Sequence, residues 1–460
     1  MATRTRTVHR CSECGSPSPR WMGRCPTCDA WGTLVEELES PAPATAVVPL
    51  APGSAPVPIG EVAIDTATRG STGVEELDRV LGGGLVPGSV TLLAGEPGMG
   101  KSTLLLQSLG AMATAGRRCL LVTAEESPAQ VRMRAERVGA ISPNLLVAGA
   151  TDLHHVLAHA ESVAPDVLAV DSIQTVVDPN RPGAPGSVTQ VRDCAYRLVQ
   201  LAKERELATV LVGHVTKEGT VAGPRVLEHV VDTVLSFDGD RGHSLRLLRA
   251  LKHRFGSTQE LGLFDMTGEG LLCVPDASAR FLVDRRPGVA GSAVAAVLEG
   301  ARPVLVEVQA LVVPSNAPSP RRSGSGVDAQ RMSMLLAVLA QRASVNLMQH
   351  DVYGSVAGGL RVTEPGLDLA LVLAAAGAVK ARATPQRLVA VGELGLAGEV
   401  RSVPQLERRL AEAARLGFET ALVPPGTSAH PGIEVVPVGD LREAVALGLI
   451  RADPGFAAVS

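Results

Sequence analysis

Gly95-Glu96-Pro97-Gly98-Met99-Gly100-Lys101-Ser102-Thr103 carries the most legible chemistry in this 460-residue chain. It fits G-x-x-x-x-G-K-[ST], directly after the apolar run Val90 to Ala94 and ahead of a helical pattern. In that setting the glycines let backbone N–H groups turn inward on phosphates, the lysine reaches the β/γ oxygens and the serine hydroxyl ligates Mg²⁺. A triphosphatase also needs a carboxylate near its metal. Asp171 closes the apolar run Val167 to Val170, where a Walker B aspartate belongs; Asp166, at the start of that run, would lie at the wrong end of a sheet. Cys119 to Ala124 ends in Glu125-Glu126 at the same edge. Glu125 is expected to orient the attacking water, and Glu126 reads better as an N-terminal helix charge before Ser127-Pro128.

A second chemistry sits at the N-terminus, where Cys11, Cys14, Cys25 and Cys28 read C-x2-C-x10-C-x2-C. Each C-x2-C turn offers two thiolates, and two turns this close make a tetrahedral zinc site rather than a redox pair. Binding energies of about 10–16 kcal/mol then fold a segment too small for a core of its own. This module holds both tryptophans, Trp21 and Trp31, and is rich in arginine (Arg4, Arg6, Arg10, Arg20, Arg24). That suits phosphate contact, although zinc modules dock proteins equally well.

Lysine is rare. Of 43 basic residues only Lys101, Lys203, Lys217, Lys252 and Lys380 are lysines, in a chain rich in alanine, glycine and arginine. Three of the five stand in motifs: Lys101 in the phosphate loop, Lys217 after the apolar run Ala208 to Val212, and Lys252 after Leu245 to Leu251. Run ends of this kind are where open α/β sheets bind ligands.

The elements that must position these groups alternate. From about Ser71 to Asp284 short apolar runs alternate with longer helical patterns, which means a mostly parallel sheet. The expected organisation is a zinc module over 1–32, a Pro/Ala-rich linker over 33–68, an ATPase core over 69–285, and a second α/β region over 286–460 interrupted by the polar loop Pro314 to Gly326. A net charge of −4 excludes a uniformly basic nucleic-acid coat, so DNA binding must come from local patches. The longest apolar stretch, Leu367 to Val379, is too short for a membrane span and contains Asp368. With no secretory signal and clustered rather than paired cysteines, a cytoplasmic protein is expected.

The order of motifs then matters: the paired C-x2-C, STGVEELDRVLGGGLVPGS, GEPGMGKST, AEES, AVDSIQT, GHVTKEGTVAGPRVLEHVVDTVL, KHRFGSTQELGLF and GGLRVTEPGLDLALVLAAAGA. Over essentially the whole chain this resembles the bacterial RadA (Sms) family of DNA repair proteins. The resemblance implies a C4 zinc finger, a RecA-like ATPase core and a C-terminal domain related to the Lon protease proteolytic domain. It further implies a hexameric ring that performs branch migration as a DNA-dependent ATPase on single-stranded and branched DNA, beside a RecA-type recombinase. Lys252-His253-Arg254-Phe255-Gly256 matches the family motif KNRFG, in which Lys252 and Arg254 are implied to complete a neighbouring subunit's ATP site. His253 replaces the family asparagine. The segment from His214 through Lys217 to Arg225 resembles loops that line the DNA channel in RecA-like rings, and Arg321 and Arg322 are further candidates for DNA contact.

Lon-type domains suggest a rival, an ATP-dependent peptidase. Gly366 stands near the nucleophile position and Glu407 where the base lysine would be, and without serine and lysine acylation cannot start. No G-x-S-x-G occurs either. A third reading, a signalling or clock-type ATPase that acts on proteins, is opposed by the N-terminal zinc module and the KxRFG motif.

Overall fold

The computed structural model describes residues 6–39, 58–59, 69–214, 224–239 and 244–451, with side chains undescribed at 6, 7, 37–39, 224 and 225. Most of the expected linker therefore lies outside the described residues. The chain divides into two compact units, Met1–Cys273 and Val274–Ser460.

The zinc module is a three-stranded antiparallel sheet in the order β2-β1-β3, built from β1 (Arg6–Cys11), β2 (Pro17–Ser18) and β3 (Leu34–Glu39). Pairing runs from Arg6 opposite Glu39 to Cys11 opposite Leu34, so β3 extends the module to residue 39 rather than the expected 32.

The ATPase core follows in strict alternation. In chain order it comprises α1 (Glu75–Val80), β4 (Val90–Gly95), α2 (Lys101–Thr114), β5 (Cys119–Thr123), α3 (Pro128–Arg137), β6 (Leu145–Gly149) and α4 (Leu153–Val163). Then come β7 (Val167–Asp171), α5 (Val188–Arg205), β8 (Ala208–His214), the single turn α6 (Pro224–Leu227), β9 (Thr233–Gly239), β10 (Leu245–His253), β11 (Leu261–Thr267) and β12 (Gly270–Cys273). One nine-stranded sheet runs β12-β11-β10-β9-β4-β8-β7-β5-β6. The stretch from β9 to β6 is parallel, and β10 to β12 add an antiparallel edge. β4 and β5 are buried along their whole length, as expected of strands covered by helices on both faces. Helix starts are written locally: Ser127 caps α3 in a capping box with Gln130 and Pro128 at the first position, and Asp152 and Ser187 cap α4 and α5.

The second unit opens with α7 (Ala277–Leu282), which moves the boundary ahead of the expected residue 285. The physical reason is its bonding. Ser278 Oγ donates to Glu412 and accepts from the Leu305 amide, and Asp276 takes a two-pronged ion pair from Arg415. β13 (Ser292–Glu299), β14 (Arg302–Pro314), β15 (Arg322–Ser325), α8 (Ala329–Ala343), β16 (His350–Val356) and α9 (Asp368–Lys380) follow. The chain continues through β17 (Arg382–Ala383), β18 (Leu388–Ala390), β19 (Glu393–Leu394), β20 (Val400–Arg401), α10 (Leu406–Arg415), β21 (Thr420–Val423), β22 (Glu434–Pro437), α11 (Leu441–Gly448) and β23 (Ile450–Arg451). Its main sheet runs β15-β16-β14-β13-β18-β21-β22. The end of the expected polar loop is thus edge strand β15, parallel to β16. From Asp368 to Gly377 every residue of α9 is buried, which explains its apolar composition without a membrane. No helix among the described residues is long and apolar enough to cross one.

Candidate nucleotide site and metal centre

Strand order brings the phosphate-loop chemistry together. Gly95 at the end of β4 pairs with His214 at the end of β8, and Thr123 at the end of β5 pairs with Asp171 at the end of β7, so four strand ends share one rim. The loop Glu96 to Gly100 leaves β4 and enters α2 at Lys101. Two glycines are sterically required. A Cβ on Gly95 would lie 2.3 Å from the Phe237 carbonyl oxygen, and Gly100 has φ 104° with the Met266 methyl 2.3 Å from where its Cβ would sit. Lys101 is buried, and its ammonium donates to the carbonyls of Gly95 (2.8 Å) and Glu96 (2.9 Å). Burial pushes its pKa down, against the charges of Asp171 and Glu125, which favour the ammonium. Ser102 and Thr103 stand in the first turn of α2, and the Ser102 hydroxyl bonds Asp171, whose own pKa is raised by burial.

Glu125 and Glu126 part company here. Glu125 accepts from His214 Nε2 at 2.9 Å and from the Ser172 hydroxyl. The His214 hydrogen bond is the leading cause that holds its carboxyl below the usual range, with Ser172 and the Lys101 charge acting in the same direction against burial. Glu126 turns instead to Arg134, 2.5 Å away, and its carbonyl accepts from Thr123 Oγ1. Ser102, Glu125, Glu126, Arg134 and Asp171 line one cleft.

Sequence reasoning missed Ser172 and Arg246. Arg246 is buried in β10 and donates through Nε to the Met99 carbonyl at 3.3 Å, bracing the phosphate loop from a strand 147 residues away. The only signal for it was an arginine in the apolar alternation LRLLRALKH. His214, read as the start of a DNA loop, is a partner of Glu125. Its Nδ1 is buried without a hydrogen-bond partner among the described residues.

The KxRFG residues are tied within their own chain. Lys252 donates to the carbonyls of Glu228 and Val231, just beyond α6, and burial leads the causes that lower its pKa. Arg254 pairs with buried Asp232 (3.2 Å), which also accepts from the Val90 amide at the start of β4. His253 fills the asparagine position with both nitrogens engaged: Nδ1 meets Thr233 Oγ1 at 2.9 Å and Nε2 meets the Leu81 carbonyl at 3.2 Å. Burial lowers its pKa, so the imidazole is neutral, with Nε2–H donating to Leu81. Phe255 sits edge-on to His253 and its carbonyl accepts from Arg69; a Cβ on Gly256 would meet His253 Cδ2 at 2.8 Å.

Among the candidate DNA contacts, Lys217 lies outside the described residues, and Arg225 is described by its backbone alone. Arg321 is exposed. Arg322 is half-buried, its guanidinium bonded to the carbonyls of Arg321, His350 and Leu347. That is the bonding of a residue that holds β15 in place.

In the zinc module Cys11, Cys14, Cys25 and Cys28 place all four sulfurs within 4.8 Å of one another, with Cys11–Cys28 and Cys14–Cys25 separations of 3.6 Å. A tetrahedron with Zn–S bonds of about 2.3 Å has edges of about 3.8 Å, so the donors fit zinc by type and spacing. The two knuckles share one backbone form: Gly15 N–H bonds the Cys11 carbonyl and Asp29 N–H the Cys25 carbonyl, with Gly15 and Asp29 both left-handed.

In the second unit the side chain that faces Gly366 is Arg409, and the expected Glu407 is exposed on α10. Helix phase explains the difference, because Arg409 shares the inward face with Leu410 and Ala413. A Cβ on Gly366 would meet the Arg409 guanidinium at 2.5 Å and Glu364 Oε1 at 2.7 Å. Arg409 is fully buried, forked onto Glu364 at 2.6 and 2.9 Å and bonded to the carbonyls of Ala296 and Pro404. The ion pair of buried Arg409 with half-buried Glu364 thus packs against Gly366, the residue expected near a nucleophile's position.

Known proteins point the same way. Residues 70–149 match the ATPase family described as KaiC, and residues 9–36 match a rubredoxin metal binding domain. The chain is 47% identical to DNA repair protein RadA of Mycolicibacterium smegmatis over 96% of its length and 97% of the relative's. It is 43% identical to the protein of that name from Bacillus subtilis (97% and 99%), and 46% identical to that of Streptococcus pyogenes serotype M6 (95% and 98%).

Proposed function

The chain belongs to the DNA repair protein RadA family, and on that premise we propose that it is a DNA-dependent ATPase that moves along single-stranded and branched DNA to process recombination intermediates. It works in the cytoplasm as a ring of six, beside a RecA-type recombinase. The observation that carries this reading is the convergence of Lys101, Ser102, Asp171 and Glu125 at one rim of the parallel sheet.

Lys101 neutralises the β/γ oxygens of ATP, leaving the loop carbonyls it now holds. Ser102 and Asp171 would hold Mg²⁺, which would supply charge stabilisation to the transferred phosphoryl group. Glu125, kept ionised by His214, accepts a proton from the attacking water or orients it. Across the ring, Lys252 and Arg254 reach the neighbouring subunit's nucleotide. In doing so they exchange partners, because each is bonded within its own chain here.

The second unit acts as a scaffold related to the Lon proteolytic domain. Gly366 offers no hydroxyl and Arg409–Glu364 fills the space around it, so the peptidase reading has no nucleophile to stand on. The test is ATP turnover with and without single-stranded, duplex and forked DNA. Turnover should rise with single strands or forks; a rate indifferent to every DNA sinks the proposal.

A further inference from the structure

The chain is poor in aromatics, and both of its tryptophans stand in the zinc module. The module does not use them to fold. Its core is Cys11, Cys25 and Leu34, whereas Trp21 is 62% and Trp31 76% exposed. Two large apolar rings left in water on so small a domain gain nothing in folding and need another explanation.

Their setting supplies one. A Cβ on Gly23 would lie 3.5 Å from the Trp31 ring, so that ring lies over bare backbone with its outer face open. The backbone beneath is pinned, since Gly32 N–H bonds the Gly23 carbonyl at 2.8 Å and Arg24 bridges Trp31 across the hairpin. Cations stand on either side of Trp21 along the chain in Arg20-Trp21-Met22-Gly23-Arg24. Arg20 is exposed, and Arg24 is steadied by Asp29 at 3.2 Å. Exposed aromatic rings on a module that also carries exposed guanidinium groups suit unpaired bases, whose π-faces stack while the backbone phosphates meet the cations. A duplex hides those faces.

We propose that Trp21 and Trp31, with Arg20 and Arg24, form a stacking platform on the zinc module for single-stranded DNA. This rests on the reading of the chain as a DNA-dependent ATPase and adds a second contact with the strand, outside the ATPase core. Sequence preference is weak there, because every base offers a face to stack on.

The two tryptophans make the test direct, since intrinsic tryptophan emission of the full-length, zinc-loaded protein reports on this module alone. An oligo-dT strand should quench that emission over the same concentrations at which anisotropy of a labelled strand shows binding. Trp31→Leu and Trp21→Leu should each weaken oligo-dT binding at least about fivefold, Trp31→Phe should recover most of it, and turnover without DNA should not change. If the strand binds while emission and the leucine variants stay unaffected, the platform is wrong and the ATPase reading stands. If a RecA-type recombinase shifts the emission and oligo-dT does not, the face docks protein and the proposal is overturned. If no DNA binds and none stimulates turnover, both readings fall together.

Discussion

Glu125→Gln is the sharpest test of the nucleotide site, because the adjacent glutamate provides its own control. Glutamine keeps an oxygen where Glu125 accepts from His214 Nε2 (2.9 Å) and from Ser172, so the rim keeps its geometry. What is lost is the negative charge and the basic site. A positioned general base contributes about 10²- to 10⁴-fold, or roughly 3–5.5 kcal/mol of barrier. ATP affinity should change little. Lys101 keeps Asp171 as a charge partner, and Asp171, raised partly by the Glu125 charge, ionises more readily once that charge is gone. Glu126→Gln removes only a half-exposed pair with Arg134, worth at most about 1 kcal/mol, and should leave turnover within about fivefold of the parent. Phosphate release in single turnover with saturating single-stranded DNA, beside affinity for a fluorescent nucleotide, separates chemistry from binding. If Glu125→Gln turns over within about tenfold of the parent, or Glu126→Gln falls as far, the assignment of the base is wrong.

Three further outcomes follow from the buried groups. Arg409→Ala should destabilise the second unit by about 3–5 kcal/mol, read by thermal or urea unfolding, because Glu364 loses its forked partner; a loss under about 1 kcal/mol would contradict the pairing. In that unit Gly366→Ser should lower stability without creating peptidase activity, since its side chain would meet Arg409 and Glu364. His253 is held neutral by burial, so its folded pKa lies below its unfolded value of about 6.5. Between those two values the unfolded chain binds more protons, and stability is lost as pH falls below about 6.5. His253→Asn should reduce that acid sensitivity, measured as the difference in Tm between neutral and mildly acid buffer; an unchanged difference would show that the imidazole is not the source.

The phosphate loop, the paired knuckles and the Walker B strand are legible in sequence because each is a contiguous stretch whose local backbone carries its chemistry. The spacing of G-x-x-x-x-G-K-S already places Lys101 at the start of a helix, and C-x2-C already turns two thiols toward one point. Alternating apolar runs and helical patterns likewise predict the parallel sheet. Where local pattern and boundary differed, as with β3 and α7, the cause was a partner elsewhere in the chain: β1 for one, Glu412 and Arg415 for the other.

Tertiary structure decided what separates neighbours along the chain and joins residues far apart. Sequence order favoured Glu125 over Glu126 only by a margin, and the fold divides them outright, one toward His214 and the other toward Arg134. That division depends on β8 lying beside β7 and β7 beside β5, an order no local spacing encodes. Helix phase alone turned Arg409 rather than Glu407 toward Gly366. His253 found Thr233 and a carbonyl 172 residues away because burial leaves an imidazole no water to bond, so both nitrogens take partners from the chain itself.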